Sequence, residues 1–441
     1  MHRTRPLFIT CSLLLSLLIL SACSSLSLNK PHNIISLDYF KPKLLNDSIT
    51  CGQNKIISAT NPCLLINGRT QVMNDSNTRK FDWPGTEFNL KFSGTSISVV
   101  MSGSQTYFDV YINGNKVNQT NLNLMNKTTQ AFKSENLFKM PTKEFLKPSF
   151  ELTLGKNLYK LTPKLNKGIH TLRLIKRNET ISNPSQIHGF IIDSLATLMP
   201  LKPKNFNLEF IGDSYTVGYG NTSPMERLRG NIDGFDQDPT SRNCTDKELS
   251  LYTNSSLNYA TQLSHQLNAS YQINSISGIG VARNYNGSKS LEPLINYYNQ
   301  SVISDRTSNY DGDFKPDVII IALGTNDFST VLQDHEIAKY PTREALYRDF
   351  QKKYILFIGM LRTKYPGVQF LLVANNSWPE NEQRNQIRKI VQHELINSKS
   401  DIHSIDLDNL MGLGCHWHPG LKTHKEWSLQ IERKINKILE L

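Results

Sequence analysis

The sequence predicts two folded domains in series: an all-β sandwich or jelly roll, and then an α/β domain built on a parallel sheet. Three observations predict this order. Before residue 200, short alternating runs of apolar and polar residues are separated by turn residues, which is typical of half-buried antiparallel strands. After residue 200, continuous apolar runs alternate with amphipathic segments, which indicates βαβ units. The length of 441 residues suits two or three domains.

Residues 1–22 are expected to be a secretory signal and not part of the fold. Two arginines precede an apolar run over residues 7–20, which is shorter than the about 20 residues that a transmembrane helix needs. The run ends in Leu-Ser-Ala-Cys, which resembles the bacterial lipobox, so Cys23 is the expected lipidation site and residues 23–50 the tether. Ser24, and not Asp, follows the cysteine, which resembles the pattern of lipoproteins that are sorted to an outer membrane. The expected location of this protein is therefore an outer membrane, on the side of the periplasm or of the cell surface. A plain secretory signal is the alternative.

The composition excludes several classes of protein and leaves a surplus of positive charge. With 38% hydrophobic and 20% charged residues, the chain is neither collagen-like, coiled-coil nor largely disordered. A net charge of +11 favours an anionic partner, such as nucleic acid, an anionic membrane or an acidic polymer. Removal of the signal takes Arg3 and Arg5, and the remaining +9 of an exported protein needs no nucleic acid. A solvated basic surface is then the favoured interpretation, and an anionic envelope surface or an acidic glycan as partner is the alternative.

Four cysteines remain after the signal, and an even number in an exported chain permits two disulfides. Four cysteines allow three connectivities, which the sequence alone does not separate. Cys51 and Cys63 are the natural local pair, which leaves Cys244 with Cys415. A structural zinc site is the alternative interpretation, but the chain contains no C-x₂₋₄-C spacing, so we predict no metal site.

Residues 51–200 are predicted to form the β-sandwich. Alternation of period two is typical of half-buried strands, and the clearest examples are Phe88–Phe92, Ser96–Met101, Tyr107–Ile112 and His170–Ile175. The stretch from Val117 to Lys167 is rich in Asn, Lys and Thr and has weak periodicity. We expect a long insertion or an elaborated hairpin there.

Residues 201–441 are predicted to form the α/β domain. Its apolar strands run directly into polar or glycine residues: Phe206–Ile211, Tyr271–Ile276, Val318–Leu323 and Val368–Ala374. Helix-like segments lie between them: Ser256–Leu267, Arg343–Lys364 and Glu382–Leu395. Ligands of open α/β sheets bind outside the carboxyl ends of the strands, so these strand ends are the predicted site.

The residues at these strand ends suit nucleophilic catalysis. Ser214, in Gly-Asp-Ser-Tyr-Thr, is the candidate nucleophile, and a serine needs a general base and donors for the oxyanion that forms on attack. The backbone N–H groups of Ser214 and Gly278 are candidate donors, with the amide of Asn326, which donates without titrating. His418 is the candidate base, held in an extended conformation by Pro419.

Each of these residues also has a simpler structural interpretation. A serine in a turn is usually a turn residue or a helix cap, Asn326 before Asp327 suits an Asx turn, and a lone histidine is usually a surface residue. Their order and placement favour catalysis, because successive strand ends carry Ser, Gly and Asn and a His-Pro pair precedes the final helix.

This set resembles the SGNH (GDSL-type) hydrolases, whose four blocks match Ser214, Gly278, Asn326 and His418. The layout is more closely similar to carbohydrate esterase family 2, in which a jelly-roll domain precedes the SGNH domain. The matching strings are Phe81–Gly85, Gly212–Gly220, Ser277–Gly280, Gly324–Ser329 and Gly414–Pro419. The resemblance covers roughly residues 60–441. It implies a flavodoxin-like parallel sheet and a serine esterase that removes O-acetyl groups from carbohydrate, with no metal or organic cofactor.

One departure from the SGNH pattern concerns the residue that orients the histidine. Many members have Asp three residues before the histidine, and this chain has Cys415 there and His416 next to it, so no local carboxylate completes a triad. Some relatives in the esterase family are understood to use a Ser-His dyad in which a backbone carbonyl orients the imidazole, and we expect the same here. A Cys244–Cys415 disulfide would brace the loop that carries His418.

Two tryptophans and two other functions remain open. Trp417 and Trp378 are candidate sugar-stacking residues, although Trp is equally often a core or rim residue. The same acyl-enzyme could act as an O-acetyltransferase on an envelope polysaccharide. A non-catalytic glycan-binding lipoprotein is the other alternative, and the intact set of four blocks argues against it.

Overall fold

The computed structural model describes most of both predicted domains. The described residues are 51, 56–117, 146–162, 164–224, 243–375, 381–407 and 412–440. The predicted signal, Cys23 and the tether lie outside them, as do Trp378 and residues 118–145 of the predicted insertion. None of the helices in the described part combines the length and the apolar character that crossing a bilayer requires.

The first region is a β-sandwich of two antiparallel sheets, as predicted. Its strands in the described residues are β1 (Ile56–Ser58), β2 (Leu65–Asn67), β3 (Gln71–Val72), β4 (Arg79–Phe81), β5 (Glu87–Gly94), β6 (Ile97–Ser102), β7 (Tyr107–Ile112), β8 (Asn115–Val117), β9 (Phe150–Glu151), β10 (Lys156–Lys160), β11 (Gly168–Lys176), β12 (Ser185–Ile192) and β13 (Leu198–Met199). One sheet runs β10-β6-β12-β4-β3, with β1 on β12. The other runs β13-β5-β11-β7-β8, with β2 on β5 and β9 on β7.

The sandwich core lies between the two sheets and follows the alternation that predicted the strands. In β6, Ile97, Val99 and Met101 are buried and the residues between them are half-buried. These side chains share one apolar core with Phe88 and Leu90 of the other sheet. All four strands quoted from the sequence are present, with ends shifted by at most one or two residues.

Strand β7 differs from its expected half-burial, because every one of its residues is buried. The carboxylate of Asp109 accepts hydrogen bonds from Asn254 Nδ2 at 3.2 Å and from Ser256 Oγ at 2.5 Å. Both donors belong to the second region. The outer face of this sheet is therefore covered by the α/β region at Asp109, while Ile169 of the same sheet is exposed.

The second region is an α/β fold. Its described strands are β14 (Asn207–Gly212), β15 (Ser270–Ser275), β16 (Val318–Ala322), β17 (Gln369–Asn375) and β18 (Ile402–Leu407). Its described α-helices are α1 (Ser214–Val217), α2 (Asp246–Tyr252), α3 (Tyr259–Gln266), α4 (Thr325–Phe328), α5 (Arg343–Lys364), α6 (Glu382–Ile396) and α7 (Leu421–Ile438). The strands are parallel in the order β15-β14-β16-β17-β18, which is the flavodoxin-like order, so the predicted sheet is confirmed.

Two elements of this region that the sequence did not predict, β18 and α2, lack a continuous apolar run. Edge strand β18 has buried residues only at its two ends and half-buried residues between them. Helix α2 has no buried residue at all and begins with a capping box between Thr245 and Glu248. In contrast, α5 agrees with the prediction residue for residue, because its helical-period apolar face packs on the sheet.

Buried charges join the two regions. Arg69 of the sandwich forms a 3.0 Å ion pair with Glu209 of β14, and both side chains are fully buried. Asp82 accepts the N–H groups of Ile303 and Ser304 at 2.7 and 2.9 Å. Trp83, the residue after Asp82, is fully buried in the apolar core of the α/β region. The sandwich is therefore fixed on the catalytic region by contacts that exclude water.

Candidate active site

Ser214 lies in a tightly packed turn at the carboxyl end of β14, an interior strand between β15 and β16. It is the first residue of helix α1 and is 5% exposed. A Cβ on Gly212 would lie 2.0 Å from Thr216 Oγ1, so only glycine fits at the end of the strand. The turn is thus defined by strand, glycine and helix together, and it presents Ser214 at the edge where the sequence predicted the site.

Asp213 is the helix cap that precedes the nucleophile. Its carboxylate accepts the N–H of Tyr215 at 3.0 Å, which satisfies one of the donors that a helix start leaves unpaired. Burial raises the pKa of Asp213 to about 7. Asp213 has no bond to His418 among the described residues, and the structure gives it a local role in the turn.

His418 lies within hydrogen-bonding distance of Ser214. The distance from His418 Nε2 to Ser214 Oγ is 2.9 Å. His418 Nδ1 is 3.0 Å from the carbonyl oxygen of His416 and 3.2 Å from that of Cys415. Because a carbonyl oxygen only accepts, Nδ1 carries the proton, and the lone pair of Nε2 is left to accept from the serine hydroxyl.

The protonation state of His418 suits a base. Burial lowers its pKa to about 4. The two carbonyls oppose this effect and the neighbouring His416 adds to it. The imidazole is therefore neutral at pH 7, and its proton lies on Nδ1.

The loop that carries His418 has an unusual backbone. His416 and Trp417 have φ values of 49° and 64°, in the left-handed region that non-glycine residues seldom adopt. This conformation turns the carbonyl of His416 toward His418 Nδ1. His418 itself is extended, with φ −76° and ψ 163°, as expected before a proline.

Cross-links hold this loop in place. Cys244 and Cys415 form a disulfide, and Cys51 and Cys63 form another, so the connectivity is the one favoured from the sequence. The ring of His416 lies between two partners: its Nδ1 is 3.0 Å from Tyr219 Oη, and its Nε2 is 3.1 Å from the carbonyl oxygen of Cys244.

Tyr219 connects the two halves of the site, and no pattern in the sequence singles it out. Its ring packs against the ring of His418, with centroids 4.2 Å apart. The string Gly-Tyr-Gly was part of the family resemblance, but nothing in the string indicates a contact with a histidine about two hundred residues later. The next residue, Gly220, is needed because a Cβ there would lie 2.4 Å from Cys415 Cβ.

Gly278 and Asn326 follow the two strands that flank β14. Gly212 pairs with Ser275 of β15 and with Ala322 of β16, so the three strands end in register. The N–H of Gly278 donates to no acceptor among the described residues. One N–H of the Asn326 amide donates to the carbonyl of Ile279 at 2.8 Å. That bond orients the amide and leaves its second N–H available.

The remaining candidate residues are two tryptophans and the predicted lipidation site. Trp417 is 44% exposed beside His418, and Trp378 and Cys23 lie outside the described residues. Across the described ranges, no group of three or more His, Cys, Asp or Glu side chains could hold a metal ion.

Comparison with known proteins gives matches for both regions. Residues 210–430 match the GDSL-like lipase/acylhydrolase family, and residues 66–140 match the carbohydrate esterase 2 N-terminal family. An acetylxylan esterase / glucomannan deacetylase of Cellvibrio japonicus is 32% identical over 88% of this chain and 93% of its own length. The cellulase/esterase CelE of Acetivibrio thermocellus is 28% identical over 86% of this chain and 40% of its own length.

A solved structure extends the likeness to the whole fold. A family two carbohydrate esterase from Clostridium thermocellum, in complex with cellohexaose, has a TM-score of 0.67 at 26% identity and covers 86% of this chain and 99% of its own. The match spans the sandwich as well as the catalytic region. The resemblance predicted from the motifs is confirmed, and the chain belongs to carbohydrate esterase family 2, a family of carboxylic ester hydrolases whose catalytic domain is GDSL-like.

Proposed function

We propose that this protein removes O-acetyl groups from carbohydrate, with Ser214 as nucleophile and His418 as general base in a Ser-His dyad. One observation carries the proposal: His418 Nε2 is 2.9 Å from Ser214 Oγ while Nδ1 faces two backbone carbonyls. The carbonyls fix the tautomer without a carboxylate. They supply orientation but no full negative charge, so the developing imidazolium is stabilised less than in a triad.

The reaction proceeds through an acyl-enzyme. Ser214 Oγ attacks the acetyl carbonyl carbon and its proton passes to His418 Nε2. The oxyanion accepts hydrogen bonds from the N–H groups of Ser214 and Gly278 and from the amide of Asn326. The intermediate collapses, and His418 returns the proton to the sugar oxygen as it leaves. Water, deprotonated by His418 Nε2, then attacks the carbonyl carbon of the acetyl-serine. The bond from that carbon to Ser214 Oγ breaks, His418 returns the proton to Oγ, and acetate leaves.

The substrate class rests on the relatives and on the surface beside the dyad. One relative is an acetylxylan esterase / glucomannan deacetylase, and a structural neighbour was solved with cellohexaose. Trp417 presents an exposed indole next to His418, which suits stacking on a sugar ring. Trp378 remains a second predicted platform.

The test is acetate release from acetylated xylan, glucomannan and bacterial envelope polysaccharide. Ser214→Ala and His418→Ala should each lower kcat by about 10⁴-fold or more while the melting temperature stays near that of the wild type. Turnover retained in either variant would contradict the dyad. Acetylated sugar that forms faster than free acetate, with donor and acceptor glycans present together, would identify a transferase instead.

The proposed location is a bacterial envelope, anchored by lipid on Cys23. The support is the Leu-Ser-Ala-Cys ending of the predicted signal. In a bacterial host, metabolic labelling with a fatty acid should mark the wild-type protein and not Cys23→Ala. Equal labelling of both proteins, or of neither, would exclude this anchor.

A further inference from the structure

Glu179 lies in the sandwich domain but reaches the catalytic loop that contains Gly278. It stands between β11 and β12, and its Oε2 accepts the backbone N–H of Ser277 at 2.9 Å. Ser277 directly precedes Gly278. This contact crosses the boundary between the two regions at the point where the candidate oxyanion donor is formed.

The peptide group that precedes Gly278 is held from both sides. On one side, Glu179 accepts the N–H of Ser277; on the other, the carbonyl of Gly278 accepts the N–H of Tyr285 at 2.9 Å. The N–H of Gly278 lies between these two bonds, and φ at Gly278 is +77°, a conformation that glycine adopts without strain. Two fixed points on a glycine turn determine where this N–H points.

Glu179 interacts with charged or titratable groups of both regions, Lys176 of the sandwich and Tyr219 of the catalytic region. Burial raises the pKa of Glu179, while Ser277 and the charge of Lys176 oppose that effect. Burial, and next the charge of Glu179, raise the pKa of Tyr219 to about 12. Since Tyr219 packs on His418, the Glu179 side chain stands near both halves of the site.

We propose that Glu179 is a positioning residue by which the sandwich domain holds the Gly278 turn of the oxyanion hole. This inference rests on the proposed role of Gly278 as an oxyanion donor. Glu179 touches no reacting atom: it acts through the Ser277 N–H, which fixes the following peptide group. The sandwich thereby becomes part of the catalytic apparatus and not merely a domain fused to it.

Asp82 provides a matched control. Like Glu179, it is a sandwich carboxylate that accepts backbone N–H groups of the catalytic region, here those of Ile303 and Ser304. It differs from Glu179 because neither Ile303 nor Ser304 is next to an oxyanion donor in the chain. A loss of domain contact alone should therefore affect Asp82 and Glu179 variants in the same way.

The experiment compares Glu179→Ala, Glu179→Gln, Asp82→Ala and Ser214→Ala in the full chain, at a temperature where each is folded. Displacement of one donor should lower kcat of Glu179→Ala by about 10- to 100-fold, with KM within about twofold of the wild type. Glu179→Gln keeps an oxygen that can accept the Ser277 N–H, so it should recover most of kcat. Asp82→Ala should lower the melting temperature and leave kcat within about twofold.

A second readout does not depend on turnover. A 4-nitrophenyl phosphonate phosphonylates Ser214: an Oγ–P bond forms, 4-nitrophenolate leaves, and a phosphoryl oxygen occupies the oxyanion hole. The rate of this inactivation should fall in Glu179→Ala by the same factor as kcat. If Asp82→Ala does not fold, Asp82→Asn replaces it and is compared with Glu179→Gln.

The outcomes separate this inference from the proposed function. If Ser214→Ala is inactive but Glu179→Ala retains the wild-type kcat, the function stands and the role of Glu179 is wrong. A change in KM alone would make Glu179 a substrate contact and would also overturn the inference. If Ser214→Ala retains activity, the proposed function itself fails.

Discussion

The two halves of the catalytic pair are held in place by different means. Ser214 lies at the end of the interior strand β14 in a turn built from regular structure, where Gly212 and Thr216 leave no spare volume. His418 lies on a loop with two left-handed residues, held by the Cys244–Cys415 disulfide and by bonds of the His416 ring. One residue is positioned by packing and the other by cross-links.

This difference predicts which changes damage which half. A packed turn fails when an atom is added, because the core around it has no room to relax. A cross-linked loop fails when a link is removed, because its backbone conformation is unfavourable without support. The nucleophile is thus sensitive to added volume, and the base is sensitive to lost connections.

Among changes to the residues that support Ser214 and His418, the largest effect is expected for Gly212→Ala at the nucleophile turn. The new Cβ would lie 2.0 Å from Thr216 Oγ1 and 3.2 Å from the carbonyl oxygen of Ala322. Helix α1 must move, and a shift of about 1 Å costs about 100-fold in rate. We therefore expect kcat for an acetylated substrate to fall about 100-fold, with a loss of about 1–3 kcal/mol in unfolding free energy.

Gly359→Ala is the control for that substitution. Gly359 lies inside helix α5, and a Cβ there meets no atom within 4 Å. Alanine should stabilise the helix by about 0.5–1 kcal/mol and leave kcat unchanged. If Gly212→Ala were as active as Gly359→Ala, the nucleophile turn would not depend on packing.

A smaller loss is expected when the link to the histidine loop is removed. Cys244→Ser with Cys415→Ser should lower kcat about tenfold, because the loop that carries His418 then has no covalent link to the rest of the domain beyond its own chain and keeps only hydrogen bonds and the packing on Tyr219. Cys51→Ser with Cys63→Ser is the matched control, since that disulfide lies in the sandwich. Chain entropy predicts stability losses of about 5 and about 3 kcal/mol, so kcat is measured where circular dichroism shows folded protein. Equal kcat in the two double variants would show that the loop positions His418 without the Cys244–Cys415 disulfide.

The smallest expected change is in the pH profile. A histidine with an ordinary pKa of about 6.5 would lose about 30-fold in activity between pH 7 and pH 5. Because burial lowers the pKa of His418 to about 4, its neutral form persists over that range and kcat/KM should change by less than about twofold. Activity should fall only as the pH drops through about 4. A midpoint near 6.5 in a stopped assay of 4-nitrophenyl acetate would mean that the ring is solvated and loosely held.

The sequence predicted those features that depend on local pattern or on a family motif. Alternation predicted β6 and β7, and helical period predicted α5, because each buries a face that the chain itself encodes. Neither the full burial of β7 nor the role of Asp109 could be predicted, since their partners lie about 145 residues away.

The prediction of the active-site residues was limited in the same way. Ser214, Gly278, Asn326 and His418 were singled out because they stand at strand ends or in motifs. Tyr219 and Glu179 were missed, because their importance comes from contacts made in three dimensions with His418 and Ser277. One carbonyl beside His418 was expected, and only from the family resemblance, since His416 and Trp417 are not residue types that indicate a left-handed backbone.

The buried pair of Arg69 and Glu209 limits how the genes for such proteins can be rearranged. Glu209 belongs to the interior strand β14 of the catalytic sheet, while its cation is supplied by the other domain. Removal of one partner of a buried ion pair costs about 3–5 kcal/mol, a large part of the about 5–15 kcal/mol that holds a typical domain folded. A catalytic half transplanted alone, or joined to an unrelated sandwich, would retain the carboxylate without its counter-ion. A gene rearrangement or a protein design that keeps this ion pair must therefore move both domains together.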